Sequence, residues 1–270
     1  MIQLSSIKKD QKEEKKIYKD INCDIAQSFG VYRNDSENEL LPYVTSVNIS
    51  CGSHAGDPLT IANSLKLAKE KGLAVGAHIG FPDIQGFGYR AMQLDEEEIR
   101  SVVLYQIGAI SALAKAFGVE IEHVRPHGAL YKQAACDFNT SLAIAKAIAS
   151  YNPWLMYVGA AGEALSRVAE ESKIKVAHEV FLDKVYKHDA TIDFDANDVV
   201  DLEYSTMQIN SLMKFSTVKN NQGGFSKLTF DTIHLSMKSQ FSLDVAKQTS
   251  AVVKNPAPLA VSIVKDTSWI

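Results

Sequence analysis

Short runs rich in valine and isoleucine recur along the chain, and several are followed by a longer stretch with helical patterning. That alternation restricts the possible architectures more than any other feature of the sequence. The runs occupy residues 19–25, 46–52, 73–79, 121–127, 154–160, 175–181 and 230–236. Helical stretches are predicted at 57–72, 94–118, 138–152, 162–172, 194–215 and 241–255. The first of these starts at an aspartate followed by proline and stops at Gly72, a start and a stop signal together. Strand–helix–strand repetition implies parallel strands joined by right-handed crossovers. Units of this kind either close into a barrel or stay open as a doubly wound sheet. No long polar linker divides the chain, so a single domain is expected over 21–255, between a charged tail at 1–20 and a C-terminal tail at 256–270.

In such folds the reactive groups sit at the carboxyl ends of the strands and on the loops that follow. The first run ends near Asp24, and the second leads into His54 and Asp57. The third ends at His78, and the fourth at Arg125 and His127. The sixth ends near Glu179 and Asp183, and the seventh near His234. Asp24, His54, His78 and His127 are thereby expected to share one end of the molecule. Neutral imidazoles and a carboxylate can hold a divalent ion such as zinc, and these four would be its ligands. The same groups can run acid–base chemistry without a metal, because imidazole titrates near neutrality. The loop GFPDIQGFGYR at 80–90, with its glycines and proline, is read as a shaped turn that can close over a ligand, with Arg90 as an anion clamp.

Other function classes are excluded by what the chain lacks. There is no phosphate-binding glycine loop of the GxxxxGK[ST] type, no GxGxxG after a strand and no GxSxG elbow. A net charge of -4 without a clustered basic face gives no sign of a nucleic-acid partner. The one dense charge run, at 8–19, mixes both signs and reads as a solvated, helix-compatible tail. No apolar run is long enough to span a membrane, and no signal-peptide order marks the N-terminus. Cys23, Cys51 and Cys136 follow no disulfide or metal spacing and read as buried free thiols, which with the other signs suggests a cytoplasmic protein.

Four blocks of the chain, NCDIAQSFG, VNISCGSHAGDP, GAHIGFPDIQGFGYRAM and VRPHGALY, resemble in order and spacing those of the LamB/YcsF family, the family of the 5-oxoprolinase A subunits. The resemblance implies an irregular seven-stranded parallel (β/α) barrel related to the polysaccharide deacetylases. It implies ATP-driven opening of 5-oxoproline to glutamate, an amidohydrolase activity exerted with partner subunits B and C. ATP is then the cofactor, a divalent metal is left open, and so is self-association into a homo-oligomer. Asp24, His54, Asp57 and His127 take the catalytic positions in this reading, and His78, Arg90, Arg125, Tyr131 and Asp183 the positions that bind the small-molecule substrate. Arg125 stands where the family usually has lysine, and Ala26-Gln27 where it has Gly-Glu. Ser236-Met237-Lys238 replaces a usual His-Gly-Asp, with His234 two residues upstream. Two alternatives follow from these departures and from the histidines: a paralogue of weak or no activity that binds a small carboxylated ligand, and a stand-alone metal-dependent hydrolase of the deacetylase type.

Overall fold

The computed structural model describes residues 18–34 and 36–264. The charge run at 8–19 lies almost wholly outside them, as does the end of the C-terminal tail. Seven parallel strands close into a barrel: β1 (Asp20–Ile25), β2 (Ser46–Ser50), β3 (Ala74–Ile79), β4 (Ile121–Pro126), β5 (Met156–Ala160), β6 (Val176–Phe181) and β9 (Thr232–Leu235). The last strand pairs with both β6 and β1 and so completes the ring. A small antiparallel hairpin, β7 (Thr217–Lys219) with β8 (Phe225–Lys227), stands outside it. All seven strand-like runs of the sequence are staves of the barrel, and closure settles the choice between barrel and open sheet.

Outward-pointing residues of the staves are apolar and fully covered: Ile21, Cys23 and Ile25; Val47 and Ile49; Val75, Ala77 and Ile79; Val180; Ile233. They pack beneath α1 (Pro58–Lys71), α2 (Glu96–Ala116), α3 (Gly128–Cys136), α4 (Phe138–Tyr151), α5 (Glu163–Ser172), α6 (Leu202–Phe215) and α7 (Ser242–Val252). Burying one such side chain contributes about 1.5–3 kcal/mol, so the outer shell carries most of the stability. The helix signals act as expected. Asp57 caps α1 by accepting from the Leu59 and Thr60 amides, and Gly72 ends it in the left-handed region at φ 65°. Asp95 and Glu98 form a reciprocal cap on α2.

Three expectations are corrected. The stretch 194–215 is helical only from Leu202, because the aspartates before it are drawn into other contacts. Asp193 accepts from the Asp195 amide, Asp198 pairs with Lys184 and Lys238, and Asp201 caps the helix. The C-terminal tail is in part a packed element: α8 (Leu259–Val264) sets Leu259 against Met156, Val158 and Ala177, while Lys19 bridges to Pro256. Of the three cysteines, Cys23 and Cys51 are buried, but Cys136, at the end of α3, is exposed.

At the amino end of the barrel Asp20 is fully buried and accepts from Thr45, Ser46 and Thr232 hydroxyls. Burial raises its carboxyl to about 6, against the opposing pull of these donors. The fold therefore favours the protonated form. Asp20 supports stability at pH values below its unfolded pKa and withdraws that support as pH rises through about 6. Asp20→Asn removes this dependence. The melting temperature of the variant relative to the parent is expected to climb between acid and neutral pH, by the equivalent of roughly 2–3 kcal/mol at most. Thermal unfolding followed by circular dichroism across that range checks it, and a difference that does not change with pH refutes it.

Candidate active site

Every second residue of the staves points into the barrel, and many of these residues are polar. Asn22 of β1 uses all four of its hydrogen-bonding positions. Its Nδ2 donates to Glu179 Oε1 at 3.0 Å and Thr232 Oγ1 at 2.7 Å, and its Oδ1 accepts from Asn48 Nδ2 and His234 Nδ1, both at 2.8 Å. Asn48 Oδ1 in turn accepts from His123 Nε2 at 2.8 Å. His123 stands on β4 and Asn48 on β2, so this bond reaches past β3. It can do so because β3 carries Gly76 there: a Cβ on Gly76 would lie 2.1 Å from His123 Nε2. The middle of the barrel is thus a closed layer of satisfied polar groups.

The next layer toward the carboxyl end is charged. Arg125 of β4 lies between two carboxylates. Its Nε donates to both oxygens of Glu179, at 2.8 and 3.0 Å, and its Nη1 to Asp24 Oδ1 at 3.1 Å. Asp24 Oδ1 also accepts from Asn48 Nδ2 at 2.9 Å. Its Oδ2 faces His78 Nε2 at 3.2 Å and His234 Nε2 at 3.6 Å. Burial alone would raise the Asp24 carboxyl, but Arg125, then His78 and His234, outweigh it and hold the group well below the usual carboxylate range. Asp24 is therefore an anion at neutral pH, with one oxygen held by Arg125 and Asn48 and the other facing His78 and His234.

Above it stand the remaining histidines. His78 Nε2 lies 3.1 Å from His127 Nδ1, and His78 Nδ1 lies 3.2 Å from the Arg125 carbonyl. His127 Nε2 meets the Phe87 carbonyl at 2.7 Å. The ring of His54 stacks on that of His127, with centroids 4.1 Å apart and planes 9° from parallel. Burial lowers His127 to about 3, helped by His78, and lowers His54 well below its ordinary value, helped by His127. Both rings are neutral near pH 7 and able to accept a proton or coordinate a metal. His54, His78 and His127 offer ligand atoms within 4.8 Å of one another.

The loop between β3 and α2 holds this group in place. Gly88, at φ +73°, brings its backbone against His127 and His54, and a Cβ there would lie 2.7 Å from His127 Cδ2. Asp83 braces the loop by accepting from the Gly86 amide and from Arg90. Arg90 is therefore committed to Asp83, and its guanidinium serves the loop's shape. Asp57 is likewise placed away from the histidines. Its carboxylate accepts from the Leu59, Thr60 and Gly30 amides and the Thr60 hydroxyl, and these bonds, the Thr60 amide first, lower it to about 2. It is spent as a helix cap that also ties down the turn after β1.

Asp24, Arg125, His127, Tyr131 and His234 open into one pocket of about 770 Å³, walled by Phe87, Tyr89, Phe181 and Phe194. This volume suits a small molecule. Tyr131 is buried edge-on to Phe181 beneath the Arg125 guanidinium. At the lip, Asp183 accepts from Ser236 and Lys238, and Lys238 also reaches Asp198 at 2.7 Å. The geometry thus gathers Asp24, His54, His78, Arg125, His127 and Tyr131, sets Asp183 at the rim, and leaves Asp57 and Arg90 in the surrounding frame. Glu179 and His234, placed near strand ends from the sequence, join the group, and Asn22, Asn48 and His123 join it unannounced. Their signal was the alternation of polar and apolar residues within strands, which identifies an inward face without saying that it is wet. His234 lies two residues before Ser236 and so shares its side of the strand, which brings it to Asp24.

A model of the LamB/YcsF family matches residues 19–265 of the chain. The 5-oxoprolinase A subunit of Geobacillus thermodenitrificans is 40% identical over 251 residues, covering 92% of this chain and 98% of its own. The protein of the same name from Bacillus subtilis is 39% identical, with 87% and 93% covered. The crystal structure of the lactam utilization protein from Thermus thermophilus superposes with a TM-score of 0.80 at 34% identity, covering 87% of this chain and 96% of that one.

The Arg125 bridge generates a test. Arg125→Met leaves Glu179 buried without a counter-charge, and a loss of roughly 3–5 kcal/mol in urea unfolding is expected. Adding Glu179→Gln should recover a large part of it, with a coupling of at least about 1 kcal/mol in the double-mutant cycle. Additive losses would refute the bridge as the organising contact.

Proposed function

The chain belongs to the LamB/YcsF family, and from that premise we propose that it is the A component of a 5-oxoprolinase, opening the lactam ring of 5-oxoproline to glutamate at the expense of ATP together with subunits B and C. The observation that carries the reading is the Asp24–His78–His127 contact chain at the floor of an apolar-walled pocket of small-molecule size. The relatives named as 5-oxoprolinase A subunits and as a lactam utilization protein support the substrate class.

A lactam is a poor electrophile, since its nitrogen shares its lone pair with the carbonyl. Phosphorylation of the lactam oxygen by ATP makes the ring carbon attackable. Water then adds, losing a proton to a base, and the ring C–N bond breaks as its nitrogen takes a proton. A second water releases phosphate from the acyl phosphate, so 5-oxoproline, ATP and two waters become glutamate, ADP and phosphate. The neutral His127 is the base in this scheme. Asp24 fixes His78 behind it, so that positive charge arising on the imidazoles meets a buried anion. Arg125 and Tyr131 face the substrate as donors, and burial, then Glu179, keeps the Tyr131 hydroxyl protonated by raising it well above its ordinary value. The protein carries Lys238 at the pocket lip, paired to Asp183 and Asp198, so a cation guards the entrance through which a carboxylated ring would pass.

Glutamate release from 5-oxoproline is measured with ATP and the cognate B and C subunits. Asp24→Asn and His127→Asn should each lower turnover by about 100-fold or more while the variant chain still assembles with its partners. Turnover within a few-fold of the parent in both variants, or none in the parent complex, overturns the proposal.

A further inference from the structure

His234 lines the pocket, yet the scheme above gives it no task. Its hydrogen bonds define what it can do there. Asn22, its partner, cannot be turned over. Asn22 Nδ2 meets Glu179 Oε1, which accepts from Arg125 Nε, and the Thr232 hydroxyl, which gives its own proton to Asp20. Asn22 Oδ1 meets Asn48 Nδ2, and that same Nδ2 donates to Asp24 Oδ1. Both ends of the Asn22 amide are therefore assigned, and its oxygen takes a proton from His234 Nδ1 at 2.8 Å. The other ring nitrogen, Nε2, stands 3.6 Å from Asp24 Oδ2. A protonated Nε2 would close on a carboxylate to about 2.7–2.9 Å. His234 thus presents Nε2 as a bare acceptor, with its tautomer set from the polar layer beneath.

Asp24 lines the same pocket. Two acceptors 3.6 Å apart favour a ligand donor near them and repel a ligand lone pair. Donors stand close by. Arg125 gives Nε to Glu179 and Nη1 to Asp24, and Nη2 is what remains of its guanidinium. Tyr131 contributes its hydroxyl. The Phe181 ring touches both sides of this arrangement, with centroids 5.7 Å from Tyr131 and 5.2 Å from His234. Ring closure makes a lactam amide cis, so its carbonyl oxygen and its N–H leave along the same edge. A site with donors beside an acceptor is complementary to that edge.

We propose that His234 Nε2, flanked by Asp24 Oδ2, is the subsite that takes the N–H of a cyclic amide, so that the protein tells a lactam from ring analogues without that proton. The inference rests on the lactam-opening reading for the kind of ring, and adds the group that recognises its nitrogen. His127 remains the base, and His234 orients the ring in front of it.

The test compares three ligands on the complex with cognate B and C subunits, without ATP. They are 5-oxoproline, the ketone with a methylene in place of the ring N–H, and the lactone with oxygen there. Titration calorimetry is expected to show 5-oxoproline bound at least about 10-fold more tightly than the ketone, and the lactone bound most weakly, because its ring oxygen meets two acceptors. This series needs no variant. His234→Phe keeps an aromatic ring against Phe181 but accepts no proton. It should weaken 5-oxoproline by about 10-fold and leave the ketone within about 3-fold, so that the order collapses. Nitrogen NMR of the imidazoles, assigned with this variant, should find the His234 proton on Nδ1. Equal affinity for 5-oxoproline and the ketone in the parent, discrimination that survives in His234→Phe, or a proton on Nε2 overturns the inference. Glutamate formation with ATP alongside equal affinities would sink the subsite and keep the lactam-opening reading. Preference for the lactam that His234→Phe abolishes, without glutamate formation in the parent complex, would keep the subsite and sink that reading.

Discussion

A barrel of seven staves encloses too little space for solvent and too many inward positions to leave them unfilled, so whatever points inward must satisfy itself. Many of those positions are polar or charged: Asp20, Asn22, Asp24, Ser46, Asn48, His78, His123, Arg125, Glu179, Thr232 and His234. An unpaired polar group at such a place costs about 1–3 kcal/mol, more if charged. The staves are consequently locked to one another from within. Asn22 joins β1 to β2, β6 and β9, and Arg125 joins β4 to β1 and β6. Elsewhere in the molecule apolar burial provides cohesion. Inside the ring, the hydrogen-bond network dictates which side chain stands where.

That network also sets the electrostatics of the pocket floor. Arg125 is raised above its ordinary value because Asp24 and Glu179 outweigh the cost of burying it. It spends its Nε and Nη1 on them, keeping both anions in place with no bulk water to screen them. The histidines above are pushed the other way, toward neutrality, by burial. A fixed anion below neutral imidazoles is an arrangement ready to receive positive charge, so the site meets its task without reorganising.

The fold was legible because the sequence repeats one device, a short β-branched run followed by a capped amphipathic helix, and Asp57, Gly72 and Asp95 do what such residues do. The site was legible in part for the same reason, since strand ends in a parallel ring converge and Asp24, His78 and His127 lie at strand ends. What sequence alone does not show is how a polar group spends its bonds. Asp57 reads both as a helix cap and as a candidate catalytic carboxylate until the Gly30 and Thr60 amides are seen to claim it, and Arg90 as a clamp until Asp83 does. The role of Gly76 is invisible for a similar reason: its contribution is a gap, and only the ring of His123 reveals it. His234 reads from the sequence as lying at the end of the last strand, but its meeting with Asp24 depends on register, which decides which face a residue joins.

The ring has a seam, and the seam is made last. Strand β9 sits between β6 and β1, bonded to Asp20 and Asn22 across more than 200 residues of chain. As the polypeptide emerges from the ribosome, six staves can assemble only as an open trough whose hydrophilic lining remains wet. Arrival of the 230s expels that water and brings the hydroxyl of Thr232 and the imidazole of His234 to their partners. Maturation of the pocket is thus tied to completion of synthesis, and a truncated product would lack the keystone.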